Sequence, residues 1–349
     1  MKLKQMLTTA LLTTGLAAGA NAQLAGHNVI LVHGFQPDNL YDQPGSDTQI
    51  RQNGENYWSD YWNTRAEARF DWNSYDRIEA GTAERLYEDA VSLSQQGLCT
   101  DGCVIVTHST GDLVTRYFLE NQEDWLSAAG YEPLNILTVL DFAGAGGGTE
   151  IADTAVSTAT SNGWFSWAAM EALQAWLGAE IGANDLGVLY DLQPANARNL
   201  AVSPSPVPRL RFVGAGSDYY SLTGGFITGT DDGVVPTHSS CGAVNDKAYD
   251  SCSKDIEFDG EIDRDDVNGP GNLFYNHYAV LMGDDTSHSG SVGNQTGVKL
   301  TYVDNDFDAN GVAVDFETKK ESGWFSSYRY VKNSSGRTMS ETVYDTLDN

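Results

Sequence analysis

The chain has 349 residues, with 48 acidic against 20 basic side chains, a formal net charge of -28, and 41% hydrophobic residues. This is a globular composition, neither disordered nor collagen-like. A charge this negative disfavours nucleic acid and anionic membranes as partners, because phosphate binding needs clustered Lys and Arg.

Residues 1–22 read as a cleaved secretory signal: Lys2 and Lys4, an apolar stretch from Met6 to Ala18, then Ala20-Asn21-Ala22 in small-x-small form. No later run reaches the 18 or more apolar residues of a membrane span, so the rest is expected to be soluble and exported, extracellular or periplasmic. Four cysteines in an exported chain are expected to form two disulfides, and the local pairing, Cys99 with Cys103 and Cys241 with Cys252, joins residues in turn-rich sequence. Zinc is the competing reading of Cys99-x3-Cys103, but no His lies close outside the strand that follows.

Short apolar and β-branched runs follow along the chain: Asn28–Val32, Cys103–Thr107, Ile136–Leu140 and Leu210–Val213. Near-continuous runs of this length belong to a buried parallel sheet. Between them, residues 79–96 carry Ala83, Leu86, Ala90 and Leu93 at helical spacing, and residues 112–121 carry Leu113, Tyr117 and Leu119. The class is α/β, a mostly parallel sheet with helices on both faces. Residues 151–192 form helices apolar around most of their circumference, with Trp164, Phe165, Trp167, Trp176 and Ile181 among them, and such helices need a cover. From residue 296 to 349 the pattern turns to alternation, which predicts a β-rich C-terminal extension. The expected organisation is therefore residues 1–22, 23–295 and 296–349.

Thr107-His108-Ser109-Thr110-Gly111 lies between a strand and a helix. A serine at such a turn projects its hydroxyl above the carboxyl ends of the strands, and the helix N-terminus supplies N–H groups to a developing oxyanion. The bland reading is that Ser109 is only a helix N-cap. Earlier, Val32-His33-Gly34-Phe35 ends the first strand. It can aim the Phe35 N–H at the same place, making Phe35 and Thr110 an oxyanion hole.

With these motifs and Asp232-Gly233-Val234-Val235, residues 27–285 resemble the α/β-hydrolase superfamily, and within it secreted bacterial triacylglycerol lipases. The resemblance implies that fold, a helical lid at about residues 151–192 and a Ser–Asp–His order of catalytic residues. By it Ser109 is the nucleophile, Asp232 (rather than Asp231) the acid, and His277, in Asn276-His277-Tyr278-Ala279-Val280, the base. His288 is the competing base, and His238 reads as a polar residue of the mouth. Two departures stand out: Thr107 replaces the first glycine of Gly-x-Ser-x-Gly, and Phe142–Thr149 lacks the Pro-His pair of the family's turn.

A structural calcium in some relatives would match Asp218, but its second ligand position is Ala279. Separately, Asp306, Asp308, Asn310 and Glu317 fit the spacing of a calcium loop, although strands flank them and a turn is the simpler account. No organic cofactor is implied. The expected activity is a carboxylester hydrolase acting on acylglycerols, with a lipid–water interface as a working surface. A short-chain esterase, a polyester depolymerase and a catalytically silent binding protein are the rivals.

Overall fold

The computed structural model describes residues 23–160, 167–179, 182–218, 223, 225–246, 273–302, 307–322 and 327–348. The expected signal, Trp164, Phe165, Ile181, Cys252 and Asp306 lie outside the described residues.

Eight strands form one sheet: β1 (Gln23–Leu24), β2 (His27–Val32), β3 (Ala68–Phe70), β4 (Cys103–His108), β5 (Ile136–Phe142), β6 (Arg209–Gly214), β7 (His277–Gly283) and β8 (Leu300–Tyr302). The order is β1-β2-β4-β5-β6-β7-β8, with β3 also on β2. Strands β2 to β7 run parallel, while β1 and β8 pair antiparallel at the two sides. Alternate residues of the apolar runs face opposite ways: Ile30, Val32 and Ile105 join one core, Val29, Leu31, Val104 and Val106 the other. With both faces dry, the sheet needs cover on each side.

The single-turn helix α1 (Asp38–Tyr41), α2 (Asp47–Tyr57) and the short α3 (Asp60–Asn63) follow β2. On the first face lie α4 (Ala83–Gln96) and α5 (Gly111–Ala128), which bury Leu86, Ala90, Leu93, Leu113, Val114 and Phe118. Helix α4 stops at Gly97, whose φ of 65° is the left-handed cap that glycine adopts without steric penalty. The chain then turns through the Cys99–Cys103 disulfide into β4.

Helices α6 (Glu150–Thr160) and α7 (Trp167–Leu177) are the apolar segment predicted as a cover, and Ile151, Ala155, Leu173 and Trp176 are continuous with the first core. The short α8 (Pro194–Ala197) precedes β6 and the short α9 (Thr237–Ser240) follows it.

The predicted β-rich C-terminal region contains β8 and two hairpins, β9 (Phe307–Ala309) with β10 (Val312–Val314) and β11 (Thr318–Ser322) with β12 (Ser327–Val331). It is built into the fold, because β8 extends the main sheet and α10 (Met339–Leu347) seals the second face. Trp62, Val312, Phe316, Met339 and Val343 share that core with Leu31 and Val106. A Thr338–Glu341 capping box starts α10.

Candidate active site

Strand β4 delivers Ser109 to the turn before α5, and Ser109 takes a φ of 57°. A non-glycine residue in this region stores about 1 kcal/mol or more of strain, which the surroundings must hold in place. They do so through backbone bonds: Ser109 N–H donates to Phe142 O at 3.1 Å, and Ser109 O accepts from Ala145 N at 2.9 Å and Asp112 N at 3.1 Å. Gly111 is required, since a Cβ there would sit 2.3 Å from Val32 O. Thr107 is accommodated because its hydroxyl donates to Asp141 Oδ1 at 2.6 Å within the buried sheet. The missing first glycine thus adds a hydrogen bond instead of a clash.

The loop after β2 is fixed by His33. Its Nδ1–H donates to Gly34 O at 2.8 Å and its Nε2 accepts from Trp72 N–H at 3.1 Å, while the rings stack 5.1 Å apart. Burial pushes its pKa down to about 4, so the imidazole is neutral and its tautomer is set by these partners. Gly34 lets the backbone approach, as a Cβ there would lie 2.7 Å from Ser109 Cβ. Among the described residues, neither the Phe35 N–H nor the Thr110 N–H donates to another group.

Asp232 is fully buried. Its Oδ1 accepts from Val234 N at 3.0 Å and Val235 N at 2.7 Å, and its Oδ2 accepts from His288 Nδ1 at 2.8 Å. Asp231 instead turns back on Gly233 N at 2.8 Å. Burial alone would depress the His288 pKa, but the charge and hydrogen bond of Asp232, helped by Asp218, outweigh it and leave the pKa raised.

The histidine at Asp232 is therefore His288, and His277 is not brought to this site. Register pairs His277 with Arg209, at the amino end of β7, whereas the serine lies beyond the carboxyl ends of the strands. His277 Nδ1 accepts from Arg211 Nη2 at 2.8 Å. Burial and the charges of Arg211, Arg209 and Arg116 hold its pKa well below the ordinary imidazole value.

Three neighbours hold the His288 loop. His108 Nε2–H donates to His288 O at 3.0 Å, and the Tyr57 hydroxyl donates to His108 Nδ1. Asp218 accepts from Ser289 N at 2.7 Å and from Ser289 Oγ at 3.0 Å. The signal for Asp218 was present in its match to a calcium-ligand position, and its carboxylate is occupied by Ser289.

The Gly-rich turn without Pro-His is held from beneath by buried guanidinium groups. Arg116 donates to Gly146 O at 3.1 Å and to Leu200 O at 2.9 Å, while Arg198 donates to Gly147 O. Ser239 Oγ accepts from Gly147 N at 2.9 Å. Arg211 binds Asp112 at 2.9 Å and Asp141 at 2.7 Å, and Arg209 also pairs with Asp112. His238 sits in this network against Arg198 at 2.9 Å and is buried, so it does not line a surface mouth.

Ser109 and His288 open on one cavity of about 680 Å³. One wall is apolar and continuous with the first core: Phe35, Ala145, Trp176, Leu192, Val234 and Val235. Phe35 and Trp176 rings lie 5.4 Å apart on it. The remaining lining mixes the polar Asn56, Ser59, His288, Ser289 and Asn294 with the apolar Tyr57, Trp58 and Val292.

The expected calcium loop is a β-hairpin turn, with Asn310 and Gly311 at φ of 56° and 97°. Asp308 accepts from Gly311 N at 2.6 Å, Asn310 donates to Leu137 O at 2.8 Å, and Glu317 pairs with Lys332. These three side chains make local bonds, and Asp306, the fourth residue of the expected loop, lies outside the described residues. Among the described residues no group of three or more His, Cys, Asp or Glu side chains is placed to hold a metal.

No family model matches the chain, and no curated protein matches it. Solved structures similar in outline include mature lipase BlEst2 of Bacillus licheniformis, at 14% identity over 61% of this chain and 77% of that one, with a TM-score of 0.37. A metagenomic carboxyl esterase, MGS0156, is similar at 18% identity over 65% and 64%, with a TM-score of 0.38. Staphylococcus hyicus lipase is similar at 14% identity over 64% and 81%, also with a TM-score of 0.38. The strand order, the serine turn after the central β4 and the Asp-to-His bond give this chain the α/β-hydrolase arrangement, mostly parallel with helices on both faces.

Proposed function

We propose that the protein is a secreted serine carboxylester hydrolase in which Ser109, His288 and Asp232 act as one unit. The observation that carries this is the convergence of a strained Ser109 and an Asp232-bound His288 on one cavity. With Nδ1 held by Asp232, His288 has its Nε2 left for the serine. The Ser109 hydroxyl attacks the acyl carbonyl as His288 Nε2 takes its proton, and the oxyanion is met by the Phe35 and Thr110 N–H groups. Collapse passes that proton to the leaving alcohol and leaves an acyl-serine. Water, deprotonated by the same His288, then releases the acid and restores the serine.

Acylglycerols are the proposed substrates, and the apolar wall supports an acyl chain there. The cavity of about 680 Å³ is open on one side, so an acyl chain longer than the apolar wall can extend out of it. Helices α6 and α7 act as the cover in this reading, with Trp176 on its inner face. Among the described residues no helix is long and apolar enough to cross a membrane. Export is proposed from the signal-like residues 1–22, and the Cys99–Cys103 disulfide is in keeping with an oxidising compartment. Stoichiometric labelling of Ser109 by an alkyl phosphonate, together with turnover of chromogenic acyl esters, tests the reading. An unlabelled serine and no turnover would point to a silent binding fold.

A further inference from the structure

We propose that a second binding site, for a small monovalent anion such as a halide or a short-chain carboxylate, lies at the amino ends of β6 and β7, where Arg209 and His277 line a cavity of about 190 Å³. It stands at the opposite end of the strands from Ser109 and does not depend on the hydrolase reading. The volume is below the roughly 300 Å³ at which pockets for larger organic ligands begin, and suits an ion.

The donors are buried and directed by their neighbours. His277 is 8% exposed, and its Nδ1 accepts from Arg211 Nη2 at 2.8 Å. The single proton of the neutral imidazole therefore sits on Nε2, and that N–H has no partner among the described residues. Arg209 is 2% exposed and spends Nη1 on the carboxylate and carbonyl of Asp112. Its Nε and Nη2 have no acceptor among the described residues. The two residues are register partners on parallel strands, so their side chains leave the sheet on one face. A buried donor without an acceptor is costly, and an anion in this cavity supplies acceptors to both residues.

Charge points the same way. The buried guanidinium groups of Arg116, Arg209 and Arg211 share two carboxylates, those of Asp112 and Asp141. Arg116 lines the same cavity and donates only to the carbonyls of Gly146, Ala197 and Leu200. Arg198 stands apart from the cavity, against Gly147 and His238. The excess beside the cavity is one positive charge, which one monoanion balances. Exposed Glu120 and Glu123 also belong to the lining, and the whole chain carries -28, so a dianion would meet a stronger opposing field. The remainder is Ser203, Ser205 and apolar groups, with Phe274 packed 4.6 Å from the Arg116 guanidinium. Such surroundings keep the local dielectric low and strengthen the attraction.

The test uses the full chain at a constant ionic strength of about 0.1 M, with gluconate, a bulky carboxylate, replaced stepwise by chloride, bromide, acetate or sulfate. The thermal midpoint should rise along a saturating curve by about 2–4 °C with at least one of the three monoanions, relative to gluconate. The monoanion that saturates at the lowest concentration tells a halide site from a carboxylate site. Glu120→Gln with Glu123→Gln changes exposed side chains and should tighten that binding about two- to fivefold. Arg209→Met should abolish the saturating rise. Should that variant fail to fold, crystals of the unchanged chain soaked in bromide provide the second measurement, with an anomalous peak expected beside Arg209 and His277. No saturating rise with any monoanion, tighter binding of sulfate, an affinity unmoved by the two glutamate changes, or a bromide peak only elsewhere each overturn the proposal. A bromide peak without a saturating rise in solution, binding at crystal concentration only, overturns it as well.

Discussion

Ser109→Gly and Ser109→Ala separate the two things this residue does. On the proposed mechanism both remove the nucleophile and should lower kcat/KM by about four orders of magnitude or more, leaving only oxyanion stabilisation and binding. Glycine also relieves the positive φ, so Ser109→Gly should raise stability by up to about 1 kcal/mol over Ser109→Ala in urea unfolding, while equal stabilities would remove strain from the account. The two histidines separate on turnover. His288→Ala should abolish it, and should also cost on the order of 1–3 kcal/mol in unfolding because the buried Asp232 loses a donor. His277→Ala should keep turnover per folded molecule but cost about 1–3 kcal/mol, because the buried Arg211 loses an acceptor. An inactive, stable His277 variant would contradict this assignment. The pH profile has a definite sign as well. In the proposed mechanism only neutral His288 accepts the serine proton, and its pKa is raised, so the acid limb of kcat/KM should sit above the ordinary imidazole value. Asp218→Asn removes one of the charges that raise it and should move that limb to lower pH. A limb that stays in place would show that Asp218 serves only the loop's geometry.

At the scale of elements, the Gly144–Thr149 turn depends on α5 and on the strand pair β5–β6. Arg116→Leu strips hydrogen bonds from three buried carbonyls, those of Gly146, Ala197 and Leu200, and should destabilise by about 3 kcal/mol or more in urea unfolding. A change below about 1 kcal/mol would show that the turn holds itself. Burial and the neighbouring Arg211 push the Arg116 pKa down to about 9, the mark of several cations sharing one dry volume. None of this was legible in the sequence, since Arg211 meets Asp112 and Asp141 across 99 and 70 residues. What was legible were elements whose signal is local: β2, β4, β5 and β6 as apolar runs, α4 and α5 as periodic ones, and the strand–Ser–helix turn. Strand β7 was not read as a strand, although His277–Gly283 is almost wholly apolar after Tyr278. That omission allowed His277 to be expected beside Asp232, where the structure instead has His288. Once β7 is a strand parallel to β6, its first residue is at the wrong end of the sheet, and the histidine must come from the loop beyond its carboxyl end.

For the molecule as a whole, the two faces of the sheet are sealed by different parts of the chain. The first is covered from within the catalytic segment, the second by Trp58 and Trp62 together with the C-terminal residues Val312, Val314, Phe316, Met339, Val343 and Leu347. Removing residues 303–349 should therefore yield no soluble, cooperatively folded remnant, judged by expression and circular dichroism, because an apolar face of this extent does not stay exposed. A folded, active truncation would make the C-terminal region the independent extension that its alternation suggested.

The contacts of α10 also carry a temporal consequence. Tyr344 Oη donates to Gln23 O at 2.7 Å, Ala25 N donates to Asp348 Oδ1 at 3.0 Å, and Trp62 Nε1 donates to Ser340 Oγ at 2.9 Å. These bonds span 321, 323 and 278 residues. A ribosome delivers β1 long before α10, and that side of the sheet therefore has no partner until the α10 segment emerges. Contacts of such separation form late and slowly. The growing polypeptide thus stays short of its native state until the α10 segment has emerged, and the intervals before that point are those in which the uncovered sheet face is open to wrong partners.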